Sequence, residues 1–270
     1  MKNLVISRKG FDASNGGRAS PIFANGDIFS VPIPQKKQSP SRYRELQFND
    51  MSGREILNLI GAKSISVNDF YHNDPLLSGD KGIFGQAGGS QGELDNCEIG
   101  QGDLFLFFGW FKQYHLSGPN LHHLFGWLQI EKIIKGNSKI LKFLSKNGIS
   151  HPHGTTDRTQ FKNNTIYIAS KKLTFSDSVR DIKGHGVFKK TAKSLILTEK
   201  GKTRSRWRFP KKYFSNTKNL FRNRLKWKDE EKCLVNCNGI GQEFILNAYD
   251  NPSVVDWASY LLNTHGRVNC

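Results

Sequence analysis

Three ionisable side chains have types and positions that suit acid–base chemistry. His72 and Asp74 are two residues apart in a polar segment, so both point to one side if that segment is extended. Asp12 lies in a loop crowded with charged and polar residues. An imidazole or a carboxylate within reach of a substrate can exchange a proton with it. We therefore predict Asp12, His72 and Asp74 as catalytic candidates, the alternative being that Asp74 only starts a turn before Pro75.

A second histidine pair repeats this spacing. His151 and His153 flank a proline and can contact a phosphate or a metal ion, or can bond to local backbone at a turn. No third metal ligand is identifiable, and Cys233 and Cys237 lack the second pair or nearby histidine of a zinc site. The prediction is that His151 and His153 contact a base or nucleotide without a metal, and the sequence leaves the cofactor unknown.

Two glycine-rich loops can offer several backbone N–H groups to an anion. The first, residues 8–17, follows a predicted strand, and the second, residues 85–92, precedes another. The first loop has neither the Gly-Lys-Ser/Thr ending of a nucleotide triphosphate loop nor the spacing of a dinucleotide fingerprint. The residues predicted to contact a base or nucleotide from these loops and from a later one are Arg8, Lys9, Asn15, Gly16, Gly17, Gln86, Gln91 and Gln242.

The elements that would position these residues are strands, and two strands share a triplet. Residues 102–111 and 124–134 are apolar and aromatic runs of strand length, each containing Phe-Gly-Trp. They predict two neighbouring buried strands at the mouth of a small β-barrel or strongly bent sheet. Glycine beside tryptophan suits a bulge or the close approach of a flat ligand. Trp110 and Trp127 therefore either border a base-binding pocket or belong to the core.

The charge distribution points to a polyanionic partner. The net charge is +17, and 20 of the 40 Lys and Arg residues lie in the basic segment, residues 171–232, beside six acidic residues. This excess favours nucleic acid, although a lysine-rich surface also serves solubility alone. Basic and aromatic residues alternate within the segment, as expected where phosphates are held and bases stack. The predicted contacts to a DNA or other nucleic-acid backbone are Arg204, Arg206, Trp207, Arg208, Lys211 and Lys212.

The remaining pattern predicts an α+β protein dominated by strands, with peripheral helices. Further strands are expected at residues 3–7 and 164–170, a hairpin around Asn25-Gly26, and helices at 52–60 and 254–262. The length favours one compact domain over residues 1–270. The chain has no apolar run of membrane-spanning length, so we expect no membrane partner. It begins with a strand pattern rather than a secretion signal, and its cysteines are scattered, so we expect a cytoplasmic protein.

Parts of the sequence resemble known families. The strand pair at 102–108 and 126–134 is similar to the core of PUA-like domains, including the EVE and YTH branches, where Gly-Asp-Leu-Phe/Val-Phe-Phe precedes a strand ending in Val/Ile-Glu-x-Ile/Val. A longer resemblance, to the nucleotide-modification-associated domain 3 family of bacteria, archaea and phages, covers most of the chain. Its segments are 7–17, 20–22, 32–34, 85–92, 102–111, 125–129, 151–153, 163–167 and 241–244.

These resemblances imply a PUA-like core at about residues 100–200 and an association with DNA base modification or defence systems, but they supply no reaction. Two hypotheses follow. In the first, the protein binds a base, modified or not, or a nucleotide in an aromatic, glycine-lined pocket and has DNA-modification enzymes as partners. In the second, it is an enzyme that modifies or processes a nucleobase or nucleotide with its loop Asp and His residues. The sequence leaves enzyme status open.

Overall fold

The structure, a computed structural model, describes residues 1–36, 39–238 and 241–267. The strands are β1 (Asn3–Arg8), β2 (Ser20–Ile22), β3 (Pro34–Gln35), β4 (Ser41–Arg42), β5 (Gln47–Phe48), β6 (Met51–Ser52), β7 (Phe70–Tyr71), β8 (Ile83–Gln86), β9 (Leu104–Gln113), β10 (Leu121–Lys135), β11 (Thr165–Ala169), β12 (His185–Val187), β13 (Arg206–Arg208), β14 (Trp227–Asp229), β15 (Leu234–Asn236) and β16 (Glu243–Asn247). The α-helices are α1 (Gly53–Leu59), α2 (Gly88–Asn96), α3 (Asn137–Lys146), α4 (Thr156–Thr159), α5 (Lys211–Phe214) and α6 (Pro252–His265). Short 3-10 helices cover Tyr43–Glu45, Pro152–Gly154, Asp177–Val179 and Lys193–Leu195. The predicted α+β class is confirmed.

Eight strands form one mixed sheet in the order β16-β1-β9-β10-β11-β8, with β12 paired to β10 and β2 to β9. Strand β1 is parallel to β9 and antiparallel to β16. The two predicted neighbouring strands, β9 and β10, pair antiparallel. Their register shifts between Leu124 and Gly126, which confirms the bulge expected from the glycine.

Both faces of the central strand β9 are covered. Its side chains from Leu104 to Phe108 are fully buried, whichever face they lie on. A strand buried on both faces has a continuous apolar run rather than an alternating one, which explains the sequence pattern. Burial of each such phenylalanine stabilises the fold by about 1.5–3 kcal/mol.

The main sheet is strongly bent. Phe84 of edge strand β8 contacts Phe105 and Phe107 of β9, with ring centroids 4.8 and 5.2 Å apart. Gln86 at the end of β8 donates a hydrogen bond to Glu243 Oε1 at the start of the other edge strand, β16, at 2.6 Å. The two edges therefore meet through side chains. Among the described strands no backbone pairing joins β8 to β16, so the sheet is bent rather than closed into a barrel.

The predicted local elements are present. Helix α1 begins after Ser52, whose Oγ accepts from the Glu55 N–H while the Glu55 carboxylate accepts from the Ser52 N–H, the capping box expected from this sequence. Gly26 has a φ of +84° in a turn between Ile22 and Ile28, which form an isolated bridge, so the predicted hairpin is reduced to a turn with a single bridge. Helix α6 packs on the main core through Trp257.

Two smaller apolar clusters flank the main core. One lies around α1 and includes Phe11 and Tyr43, and the other lies beneath α3 and includes Ile83 and Ile140. No helix within the described ranges has the length and apolar character needed to cross a membrane.

Candidate functional site

The predicted polar residues meet in a cavity of about 110 Å³ near the place where the two sheet edges approach each other. We name it the histidine pocket. It is lined by nine residues predicted from the sequence: Arg8, Lys9, Asp12, Asn15, His72, Asp74, Gln86, His153 and Gln242. Arg8 ends β1, Gln86 ends β8 and Gln242 precedes β16. The bend of the sheet therefore brings together loops that are distant in sequence.

Asp74 is the centre of the pocket's ionisable groups. Its Oδ1 accepts a hydrogen bond from the Gly85 N–H at 2.8 Å and lies 3.3 Å from His151 Nε2. Its Oδ2 lies 3.6 Å from His72 Nε2 and 3.8 Å from His153 Nε2. These last two separations are too long for hydrogen bonds. The four side chains are almost fully buried, with His72 and His153 lining the cavity and His151 behind them.

Burial decides the charge states of this cluster. Burial lowers the pKa of His72, against the opposing effect of Asp74, and lowers the pKa of His153 to about 3. Burial alone would raise the pKa of Asp74, but the neighbouring imidazoles of His151 and His72 hold it well below its usual range. At neutral pH the cluster therefore contains a carboxylate beside two neutral imidazoles, His72 and His153.

Close packing fixes the position of His153. The short helix Pro152–Gly154 packs against β8, and a Cβ on Gly85 would lie only 2.2 Å from His153 Cδ2. The side chain at position 85 must therefore be a hydrogen atom for the imidazole to occupy this place. His153 Nδ1 also lies 2.6 Å from Asn164 Oδ1. Sequence reasoning missed Gly85 as an individual site residue, although its glycine-rich loop was singled out.

A second cavity, of about 170 Å³, shares Arg8 and Asp12 with the histidine pocket and therefore adjoins it. We name it the tryptophan pocket because the partly buried Trp110 lines it. The Arg204 guanidinium lies 4.0 Å from the centre of the Trp110 ring. Trp110 Nε1–H donates to Asn120 Oδ1 at 2.8 Å, which fixes the ring. The predicted Trp110 and Arg204 thus form a cation–π pair, which we name the cationic platform.

The tryptophan pocket also contains two residues that sequence reasoning missed. Burial, with Arg8 and Arg204 nearby, lowers the pKa of His122 to about 3, and burial raises the pKa of Cys237 to about 12. Both groups are therefore neutral at pH 7, so the charged side chains that line this pocket are Arg8, Arg204 and Asp12. Nothing in the local sequence around His122 or Cys237 signals this contact, since it depends on strand pairing.

Asp12 shapes its own loop. Its Oδ1 accepts from the backbone N–H groups of Ser14 and Asn15, each at 2.7 Å, as in an Asx turn. Gly16 has a φ of +90°, and a Cβ there would overlap the Phe11 ring. Gly17 has a φ of +65°, and its N–H donates to the Asp12 carbonyl. The structure thus places Asp12 at the wall of both pockets with its carboxylate engaged by the loop, and Gly16 and Gly17 in the turn behind it.

Three aromatic or polar residues predicted to contact ligand are buried in the core instead. Trp127 is 2% exposed, and its Nε1–H donates to the Lys183 carbonyl at 2.9 Å. Gln91 is fully buried and hydrogen-bonded to Tyr167 Oη. Trp207 is fully buried on β13. None of them lines the histidine pocket or the tryptophan pocket.

The predicted nucleic-acid backbone residues do not lie together on one surface. Arg204 faces the tryptophan pocket. Arg208, Lys211 and Lys212 line a separate groove beside α6, where Arg208 pairs with Glu199. Arg206 is partly buried on β13. The basic segment therefore does not form one continuous row along a single pocket.

The fold and this site define an α+β protein with a bent mixed sheet and a small cationic, histidine-lined pocket. Residues 3–247 match the family described as nucleotide modification associated domain 3. The chain belongs to this family, which associates it with nucleotide modification. No curated protein and no solved structure matched the chain.

Proposed function

We propose that this protein is an enzyme that modifies or processes a nucleotide, or a base within nucleic acid, held across the histidine and tryptophan pockets. The observation that carries this proposal is the adjacency of the two cavities, which share Arg8 and Asp12. One cavity offers a cationic platform and the other offers proton acceptors. Neither cavity is large enough alone for a drug-sized ligand, so one ligand would occupy both.

The tryptophan pocket suits the phosphate-bearing or planar part of such a ligand. A guanidinium that is stacked on an aromatic ring keeps its N–H donors in a plane that matches phosphate geometry. The Arg204 guanidinium lies over the Trp110 ring, 4.0 Å from its centre, and Arg8 is at the boundary of the two pockets. Base stacking on an exposed aromatic face contributes roughly 1–3 kcal/mol.

The histidine pocket suits the binding of a polar proton donor, such as a hydroxyl or amino group of a substrate or a water molecule. A buried carboxylate and two neutral imidazoles can each accept a hydrogen bond from such a group, although their lowered pKa values make them weak bases at neutral pH. Three acceptors of this kind around one small cavity are more than a passive binding site requires, which favours the enzyme over the binding module. The binding module remains the second candidate, because the platform of Trp110 and Arg204 would serve it equally.

The basic groove beside α6 supports the wider proposal of a nucleic-acid partner. Lys211 and Lys212 are exposed there, next to the ring of Tyr213. Exposed lysines next to aromatic rings suit a phosphate backbone. We also propose a cytoplasmic setting alongside DNA-modification enzymes, supported by the family and by the free cysteines Cys97, Cys233 and Cys237.

Two matched substitutions test this function. Asp74→Asn removes the carboxylate charge with little change of shape, and Arg204→Gln removes the platform's charge. We expect Asp74→Asn to keep oligonucleotide or nucleotide affinity within about twofold and to abolish the change in nucleosides that mass spectrometry detects in cells expressing the protein. Arg204→Gln should weaken binding by about 10- to 150-fold, as expected for a charged hydrogen bond of roughly 1.5–3 kcal/mol.

The control is Asp181→Asn, which changes an exposed carboxylate paired with Arg267. It should leave both binding and nucleosides unchanged. An unchanged nucleoside profile on expression of the wild-type protein, with intact binding, would support the binding module instead. Unchanged affinity after Arg204→Gln would remove the tryptophan pocket from the proposal.

A further inference from the structure

The hydrogen bonds behind His153 determine which of its nitrogens carries the proton. The Asn164 NH2 group donates to Asn137 Oδ1 and to the His153 carbonyl, both at 2.9 Å. Asn164 Oδ1 therefore faces His153 Nδ1 as an acceptor, and Nδ1 carries the proton. In a neutral imidazole this leaves a lone pair on Nε2. That lone pair faces Asp74.

His72 is oriented in the same way. Its Nδ1 lies 2.8 Å from Gln35 Oε1, so the proton is on Nδ1 and the lone pair is on Nε2. His151 has the opposite arrangement, because its Nδ1 accepts from the His153 N–H at 3.3 Å. Its proton is therefore on Nε2, which lies 3.3 Å from Asp74 Oδ1. Two imidazole lone pairs and one carboxylate oxygen, Asp74 Oδ2, are thus directed at one another.

Three electron-rich atoms in a buried space repel one another unless a cation lies between them. The arrangement is that of a metal site with a supporting outer shell. Imidazole ligands to metals almost always donate their other N–H to an oxygen acceptor, as His72 and His153 do to Gln35 and Asn164. Ligating carboxylates are likewise hydrogen-bonded, as Asp74 is by Gly85.

We propose that His72 Nε2, Asp74 Oδ2 and His153 Nε2 bind one divalent transition-metal ion whose remaining coordination positions open into the histidine pocket. One ligand atom from each of the three residues lies within 4.8 Å of the others. Ligands of a tetrahedral ion at about 2.0–2.1 Å are roughly 3.3 Å apart. The separations of 3.6 and 3.8 Å from Asp74 therefore need a contraction of about half an ångström or less, and the separation between the two imidazoles, which is within 4.8 Å, needs about 1.5 Å or less.

The ligand set selects the kind of metal. Imidazole suits zinc, iron, copper and nickel, whereas magnesium and calcium prefer oxygen ligands throughout. Two histidines and one carboxylate leave at least one open position, as catalytic sites do. This inference rests on the proposed function and deepens it. With an ion bound, the three groups are its ligands instead of proton acceptors, and the ion would activate water or bind a phosphate oxygen in the histidine pocket. It replaces the expectation, drawn from sequence, that the site has no metal.

The test is metal binding by the untagged, chelator-treated full chain, with Zn²⁺ in calorimetry and Co²⁺ in visible absorption. We expect one Zn²⁺ per chain and a Co²⁺ spectrum of nitrogen and oxygen ligands. His72→Ala and His153→Ala should each lower Zn²⁺ affinity by about 100-fold or more. A strong near-ultraviolet thiolate band would place the ion on cysteine and overturn the proposal, as would wild-type affinity in both variants.

Two controls separate loss of the site from loss of the fold. His123→Gln changes a buried histidine outside the cluster, and His115→Ala changes an exposed one, so both should bind Zn²⁺ as the wild type does. Oligonucleotide binding by wild type and by Arg204→Gln, repeated in chelator, tests the proposed function independently. Absence of Zn²⁺ binding with an intact effect of Arg204→Gln would remove only the metal. Zn²⁺ binding without any nucleic-acid or nucleotide binding would leave only the metal site.

Discussion

Alanine at position 85 tests how closely the histidine pocket is packed. The added Cβ would lie 2.2 Å from His153 Cδ2 and 2.5 Å from its Nε2, whereas ordinary contacts begin at 3.4 Å. The ring must therefore move by about 1 Å or more, because the other partner of the clash is the β8 backbone. Overpacking of this kind destabilises a fold by about 1–3 kcal/mol.

The same movement has a larger effect on the site than on the fold. Metal ligands tolerate about 0.2 Å of displacement, so a shift of about 1 Å removes His153 from the coordination sphere. It also breaks the alignment of His153 Nδ1 with Asn164. We expect Gly85→Ala to lower Zn²⁺ affinity by about 100-fold, measured by calorimetry, and to lower the free energy of urea unfolding by about 1–3 kcal/mol.

Gly82→Ala is the matched control. A Cβ at Gly82 would lie 2.4 Å from Cγ of His185, so this substitution creates a similar clash with a histidine outside the cluster. It should lower stability to a similar degree while leaving Zn²⁺ affinity unchanged. Equal loss of Zn²⁺ affinity in both variants, or none in Gly85→Ala, would refute the reasoning that position 85 holds His153 in place.

Two further predictions concern pH and salt. Burial lowers the pKa of His122 to about 3, of His123 to about 4 and of His153 to about 3, so only the unfolded chain binds these protons below pH 6.5. The free energy of urea unfolding should therefore fall as the pH drops from 6.5 towards 4, by about 1.4 kcal/mol per pH unit for each histidine. His123→Gln should make this slope shallower. Equal free energies of unfolding at pH 7 and pH 5 would contradict the prediction. If Arg204 contacts one phosphate, Arg204→Gln should reduce the slope of log affinity against log salt concentration for duplex DNA by about 0.9, measured by fluorescence anisotropy. Arg180→Gln changes an exposed arginine paired with Asp177 and should leave this slope unchanged.

Much of the local structure could be predicted from the sequence, because its causes lie within a few neighbouring residues. The capping box of Ser52 and Glu55 and the turn at Gly26 are examples. So is the loop after β1, whose glycines and Asp12 form the turn that their types suggest. His72 and Asp74 were likewise identified as a pair from their spacing, and the structure brings both to one cavity.

The bending of the main sheet determined which side chains line the pockets and which are buried in the core. Trp127 and Trp110 occupy equivalent triplets, yet Trp127 is buried and Trp110 lines a pocket, because burial depends on what covers each face of the sheet. The sequence named His72 with Asp74, and His151 with His153, as two separate pairs. Their meeting depends on tertiary structure, since His153 approaches Asp74 only where its helix packs against Gly85. Residue types and spacings thus determined which side chains could bind a ligand, a metal ion or a proton, while the long-range packing of strands and loops determined which of them lie together.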